Sequence, residues 1–313
     1  MIYRLVDLSS REPLMPTLTR FTLALFLFSL FTNSHATDAA TAKEAGKIKP
    51  GTDATAAKPL VPRFDHVVIV IMENEDQEQI IGNANAPYIN HLAQAGANFT
   101  DAHALTHPSQ PNYLALFSGS TQDVTDNSCP LTFRKKANLA SQLVAAKLTF
   151  SGFSEDLPTA GYTGCKAGKY RRKHNPWVNF DNVDASSNQP FTAFPGTDFA
   201  ALPTVSIVVP NLCNDHHDCP IQTGDAWLKA RFDDYVQWAR THNSLFILTW
   251  DEDASRKDNH IPTVMAGATV KPGNYRTTIN HYHVLRTLQA MFGLAPIENT
   301  AAVAPITNIW TTK

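Results

Sequence analysis

The stretch His66-Val67-Val68-Ile69-Val70-Ile71-Met72 is a continuous apolar run after its first residue, and it stops abruptly at Glu73-Asn74-Glu75-Asp76. A strand buried on both faces, as a parallel sheet requires, reads this way, whereas a half-exposed strand alternates apolar and polar residues. Ser244-Leu245-Phe246-Ile247-Leu248-Thr249-Trp250 repeats the pattern and stops at Asp251-Glu252-Asp253. In open α/β sheets, ligands bind beyond the carboxyl ends of the strands. Two acidic clusters at two such ends therefore predict a shared cation site. Taken singly, an acidic residue after a strand is more often a helix cap or a solvated turn. The conjunction is what points to a site.

A third polar element strengthens it. Thr106-His107-Pro108-Ser109-Gln110-Pro111-Asn112-Tyr113 sets Ser109 at the mouth of a helix predicted over 111–118, with Gly119 as its stop. Free amides and the positive end of the helix dipole favour an anion there, and a phosphoryl group is a natural guest. A serine hydroxyl is a poor nucleophile unless a base, a lowered pKa or a metal activates it. Further strands are expected at 204–209 and 262–266, and helices at 86–95, 137–146, 225–242 and 282–292. In the 225–242 helix Leu228, Phe232, Tyr235, Val236 and Ala239 form one apolar face, with Asp225 as the expected N-cap. Strands alternating with helices predict an α/β fold with a largely parallel central sheet flanked by helices on both faces. Residues 61–313 carry enough apolar content for one such domain, and no internal repeat interrupts it.

The N-terminal region points to export. From Met15 the chain reads Met-Pro-Thr-Leu-Thr-Arg20, then the apolar stretch Phe21 to Phe31, then Asn33-Ser34-His35-Ala36, the layout of a secretory signal peptide over 15–36. This stretch of 11 residues falls short of the roughly 20 that span a bilayer. Met15 reads as the true start, with residues 1–14 reflecting a start codon set too early. No cysteine follows the expected cut, so no lipid anchor or other stable membrane anchor is expected. Residues 37–60, rich in Ala, Thr and Lys and free of aromatics, read as a flexible linker. Localisation is therefore expected to be periplasmic or secreted. Four cysteines, Cys129, Cys165, Cys213 and Cys219, suit an oxidising space. Sequence permits three pairings; the closeness of Cys213 and Cys219 suggests that they clip their own loop, which leaves Cys129 with Cys165.

A net charge of −2 excludes a general nucleic-acid binder. One basic run, Lys166 to His174, holds five Lys or Arg within eight positions. Such a run is usually a solvated loop, the reading taken for Arg171 and Arg172. Lys173 and His174 offer positive charge to balance an acidic site that must hold a dianion.

Taken together these residues resemble the phosphoesterase family of bacterial and fungal acid phosphatases and phosphatidylcholine-type phospholipases C, within the alkaline phosphatase superfamily. The likeness rests on Met72-Glu73-Asn74, on His107-Pro108-Ser109-Gln110-Pro111-Asn112-Tyr113 and on Thr249-Trp250-Asp251-Glu252. It extends to Lys173-His174-Asn175-Pro176-Trp177 and to the Cys213–Cys219 segment, and covers about 61–313. The resemblance implies an alkaline-phosphatase-like fold, Ser109 as nucleophile, and Glu73, Asn74, Asp251 and Glu252 as ligands of one divalent metal ion. Their hard oxygens suit Mg²⁺, Ca²⁺ or Mn²⁺ better than zinc. His174 and His216 are the candidate catalytic histidines, and Lys173 and Asn112 the candidate substrate contacts. His217, His260, His281 and His283 offer parts of a second metal site, but the whole set cannot be traced, so one metal is expected. The implied activity is hydrolysis of phosphate monoesters through a phosphoserine. The alternatives are a phospholipase C-type diesterase and a non-catalytic protein that binds a phosphorylated ligand.

Overall fold

The computed structural model describes residues 60–254 and 258–311, and β1 (His66–Met72) lies near the middle of an eight-stranded sheet. With strands numbered along the chain, the order across the sheet is β11 (Gly273–Tyr275), β2 (Ala97–Phe99), β10 (Thr263–Gly267), β9 (Ser244–Trp250), β1, β8 (Val205–Val209), β4 (Phe150–Ser154) and β7 (Asn188–Pro190). Two small pairs complete the set: β12 (Ile279–Asn280) with β3 (Ala102–His103), and β5 (Lys166–Ala167) with β6 (Tyr170–Arg171). The helices are α1 (Gln77–Ile80), α2 (Pro87–Ala95), α3 (Ser109–Ser118), α4 (Leu139–Ala145), α5 (Ile221–Thr241) and α6 (His281–Phe292).

From β9 to β7 the five strands are parallel. Val67 to Met72 are all buried, and each large apolar side chain removed from water contributes about 1.5–3 kcal/mol before chain entropy is counted. The fold is thus α/β with a mostly parallel sheet, as expected. β10 departs from the pattern, running antiparallel to both β9 and β2. The link from Trp250 to Thr263 contains no helix among its described residues, and a parallel return requires a crossover, usually helical. The helices fall into two groups: α2 and α5 pack together against β10, with α5 also on β9, while α3 and α4 each pack on α6.

Two details of the helices differ from expectation. α3 begins at Ser109 and not at 111, with Pro108 as its N-cap residue. α5 begins at Ile221, after Pro220, so Asp225 lies one turn inside it and does not cap it. The Asp225 carboxylate instead accepts from the amides of Tyr88 (3.1 Å) and Ile89 (2.8 Å). It satisfies the free N–H groups at the start of α2, the task of a cap performed from a neighbouring helix. The expected segments 1–14 and 15–36 lie outside the described residues, as does the 37–60 linker apart from Leu60. No helix among the described residues is long and apolar enough to cross a membrane.

Candidate active site

Register places the acidic clusters side by side. β1 pairs with β9 from His66↔Ser244 to Met72↔Trp250, so Glu73 and Asp251 leave the sheet at the same level. The Asp251 amide donates to the Met72 carbonyl (3.1 Å), and the Glu73 amide donates to the Asp215 carbonyl (2.9 Å) in the loop after β8. Glu73, Asp215, Asp251 and Glu252 are all buried.

Ser109 stands among them. Its Oγ lies 2.7 Å from Glu73 Oε1, 3.1 Å from Glu252 Oε1 and 3.4 Å from Lys173 Nζ. The single hydroxyl proton serves one carboxylate at a time, while the ammonium can donate to the oxygen. The serine is only 2% exposed, more enclosed than a helix mouth suggested. Asn112 holds the preceding loop: its Oδ1 accepts from the amides of Leu105 and Thr106, and its Nδ2 donates to the Thr106 carbonyl at 2.7 Å. With its amide used in this way and the residue fully buried, Asn112, expected to contact substrate, braces the loop that leads to Ser109.

The basic segment is anchored at both ends. Arg172, expected as part of a solvated loop, is buried and donates to the carbonyls of Thr163, Leu131 and Val178 and to Asn179 Oδ1. Trp177 lies flat against Gly152 of β4, where an added Cβ would come within 2.1 Å of its indole; its Nε1 donates to Asn188 Oδ1 at 2.8 Å. Between these anchors, Lys173 Nζ comes within 3.6 Å of Glu73 Oε1 and His174 Nε2 within 2.5 Å of Glu73 Oε2. His174 is buried and stacks on Tyr113 with ring centroids 5.0 Å apart.

These contacts split the carboxyls. Burial would raise the Glu73 pKa, but His174 and Lys173, with the Ser109 hydroxyl, outweigh it and bring Glu73 down to about 2. Asp251 is pushed well above the ordinary carboxylate range by burial and by the charges of Glu73 and Glu252. Asp215 is raised by burial and Glu73, and burial raises Glu252 as well. His281 donates from Nε2 to the Asp251 carbonyl (2.9 Å), and burial lowers it to about 4, so it stays neutral.

The donor set fits a hard cation. Asp251 Oδ2 and Asn74 Oδ1 are buried without hydrogen-bond partners, and the Asn74 amide donates to Asp251 Oδ1 at 3.3 Å. Ligand-capable atoms of Glu73, Asp251 and Glu252 lie within 4.8 Å of one another, as do those of Glu73, His174 and Asp215. In the latter group the 2.5 Å approach of His174 Nε2 to Glu73 Oε2 leaves no room for an ion between those two atoms, so the oxygen-only group is the better cage.

His216 goes elsewhere. Its ring packs into a notch at Gly224 of α5, where an added Cβ would meet it at 2.2 Å, and tilts against Trp250 with centroids 5.8 Å apart. Burial lowers it to about 4. It makes no contact with Ser109, whereas its neighbour Asp215 faces Glu73 and His174. His217, His260 and His283 bond to Asp218, Glu78 and Asn280 respectively. Conversely, His107 received no role from the sequence. Its Nδ1 lies 2.7 Å from Glu252 Oε2 and its Nε2 3.2 Å from Asp253 Oδ1; its place two residues before Ser109 was the available signal. Both disulfides, Cys129–Cys165 and Cys213–Cys219, pair as expected, and the latter encloses Asp215.

A serine held among carboxylates and a lysine at the sheet's carboxyl edge agrees with the comparisons. Residues 83–295 match the model of the phosphoesterase family. The chain belongs to that family. It is 52% identical over 81% of its length to the phosphatidylinositol-3-phosphatase of Mycobacterium tuberculosis, of which it covers 85%. It is 30% identical over 74% of its length to an acid phosphatase of Aspergillus fumigatus, although it spans only 55% of that protein. A solved structure of a protein in the alkaline phosphatase superfamily from Vibrio parahaemolyticus superposes with a TM-score of 0.54 at 14% identity, over 83% of this chain and 76% of that one. This phosphoesterase is a phosphoric ester hydrolase.

Proposed function

We propose that this phosphoesterase is an exported, metal-dependent phosphatase of acid-phosphatase type that hydrolyses phosphate monoesters through a phosphoserine on Ser109. The observation carrying this reading is the surroundings of the Ser109 oxygen, with Glu73, Glu252 and Lys173 all within 3.4 Å. Held near a pKa of 2, Glu73 is a poor base, so the hydroxyl must be activated by positive charge. Lys173 supplies part of it. Glu73, Asn74, Asp251 and Glu252 would hold a Mg²⁺, Ca²⁺ or Mn²⁺ ion, whose charge favours the alkoxide and polarises a phosphoryl oxygen.

Ser109 Oγ attacks phosphorus in line and the alcohol leaves from the opposite side; water then cleaves the phosphoserine. His174, sealed between Tyr113 and Glu73, acts by holding Glu73. His107, 19% exposed, is better placed to give the departing alcohol its proton. Both disulfides and the 15–36 segment support export. The similarity to a phosphatidylinositol-3-phosphatase makes a phosphorylated inositol ring a substrate to test first.

The test is turnover of a monoester, a diester and phosphatidylcholine, each with and without chelator, together with acid-quench trapping of labelled phosphate. Monoester preference, loss on chelation, and label on wild type but not on Ser109→Ala are expected. Substantial turnover by Ser109→Ala, or by metal-free protein, would overturn the mechanism.

A further inference from the structure

A second cavity, of about 470 Å³, opens between α2 and the β2–β11 edge of the sheet. Its volume lies in the range of small-molecule sites, about 300–1,000 Å³. Its polar lining consists of Gln77, Asn90, Gln94, Asn98, Thr100 and Asn274, with no Asp, Glu, Lys, Arg or His. The cavity of similar size beside Phe191 is different, since Glu155, Asp156, Arg231 and Asp234 line it.

Two of these amides are expensive to the fold. Asn98 sits inside β2, where Asn is disfavoured, and is only 4% exposed; Gln77 is 6% exposed. Asn98 Nδ2 donates to Asn274 Oδ1 at 2.9 Å, but Asn98 Oδ1 and Gln77 Oε1 are buried acceptors without partners. A buried acceptor left unpaired costs stability, and in a native protein it calls for an explanation such as a bound group. Asn90 is accounted for: its side chain receives the Gly82 amide and donates to the carbonyls of Ile80, Asn83 and Ala86. The Oδ1 of Asn98, the amides of Gln77 and Gln94 and the Nδ2 of Asn274 remain for a guest.

We infer that this cavity is a binding site for a neutral polyhydroxylated ring, a sugar or a cyclitol. Ring hydroxyls donate to amide carbonyls and accept from amide N–H groups, so one molecule can answer both the acceptors and the donors of this lining. A charged guest would find no counter-charge. Ile81, Ala93, Gly82 and Gly273 supply the low apolar surface that a ring's C–H face needs. The site stands apart from Ser109 and does not depend on what the phosphatase hydrolyses.

The experiment titrates myo-inositol and D-glucose separately into the full chain, read by saturation-transfer NMR and calorimetry, at low and at high salt. Saturable binding of at least one, insensitive to salt, is expected. Asn98→Val and the exposed Asn274→Ala should each weaken it about tenfold, with phosphatase turnover of Asn274→Ala unchanged. The second variant guards against misfolding in the first. No saturable binding of either probe, meaning that water alone serves these amides, would overturn the assignment. So would binding unaltered by both substitutions, or binding that collapses with salt.

Discussion

Glu73 and Asp251 leave adjacent parallel strands at the same level and are equally buried, yet their carboxyls move in opposite directions. Glu73 is brought to about 2, whereas Asp251 is driven well above its ordinary value. Burial is common to both and by itself makes a carboxyl keep its proton. The difference is the company each keeps. Glu73 meets Lys173 and His174, while the Asp251 carboxylate meets only the backbone amides of Asn74 and Glu252, and its Oδ2 has no hydrogen-bond partner. Positive charge is therefore missing beside Asp251, and that is the side where the proposed cation would supply it.

The largest effect should come from making the same substitution at both residues. Glu73→Gln leaves buried His174 and Lys173 without their anion, so stability should fall by about 3–5 kcal/mol and turnover by about 10²–10³-fold. In chelator-treated protein Asp251→Asn should cost less than about 1 kcal/mol, because burial and the neighbouring carboxylates already favour the uncharged form that an amide mimics. Asp251→Asn should still lose the stabilisation that added Mg²⁺ or Mn²⁺ gives wild type. Urea unfolding with and without cation measures both, and equal losses in the two variants would erase the contrast.

A pH series sharpens it. Asp251 has a folded pKa above its ordinary value of 3.8, so in metal-free protein its contribution is fully present below 3.8 and is lost as pH rises through the folded value. Glu73 works the other way: its contribution is present above 4.5 and is lost as pH falls towards 2. His216 and His281, both lowered from 6.5 to about 4, lose theirs at higher pH, as it falls from 6.5 through 4. Subtracting the Asp251→Asn curve from that of metal-free wild type removes these other groups. The difference should decline with rising pH, and a flat difference would show that Asp251 titrates normally.

The smallest effect belongs to Lys173, 18% exposed and 3.6 Å from Glu73. Lys173→Ala should lower kcat/KM for a monoester dianion about tenfold, and less for a diester, whose charge is smaller. Equal losses on paired substrates would mean that the ammonium does not sense phosphate charge.

The strands that build the site were legible because burial on both faces leaves an unbroken apolar run, and β1 and β9 end where those runs end. The direction of β10 was not, since a side-chain pattern is the same read either way along a strand. The carboxylates around Ser109 were visible as chemistry at strand ends. Asn112 and Arg172 show the limit: a polar side chain that saturates loop carbonyls and amides has the same composition as one that meets substrate. Asp215 and His216 show another. His216 has φ +87°, a left-handed turn that sequence did not announce, and the two neighbours part there, one towards Glu73 and one into α5.

All ten residues of α3, from Ser109 to Ser118, are buried. If Ser109 is the nucleophile proposed above, a group on so enclosed a helix has little motion left to lose when a substrate arrives, because its ordering was completed when the chain folded. Substrates with different alcohols should then share one geometry of attack. What distinguishes them should be the departure of the alcohol, so rates across a series of esters ought to track leaving-group basicity more closely than substrate shape.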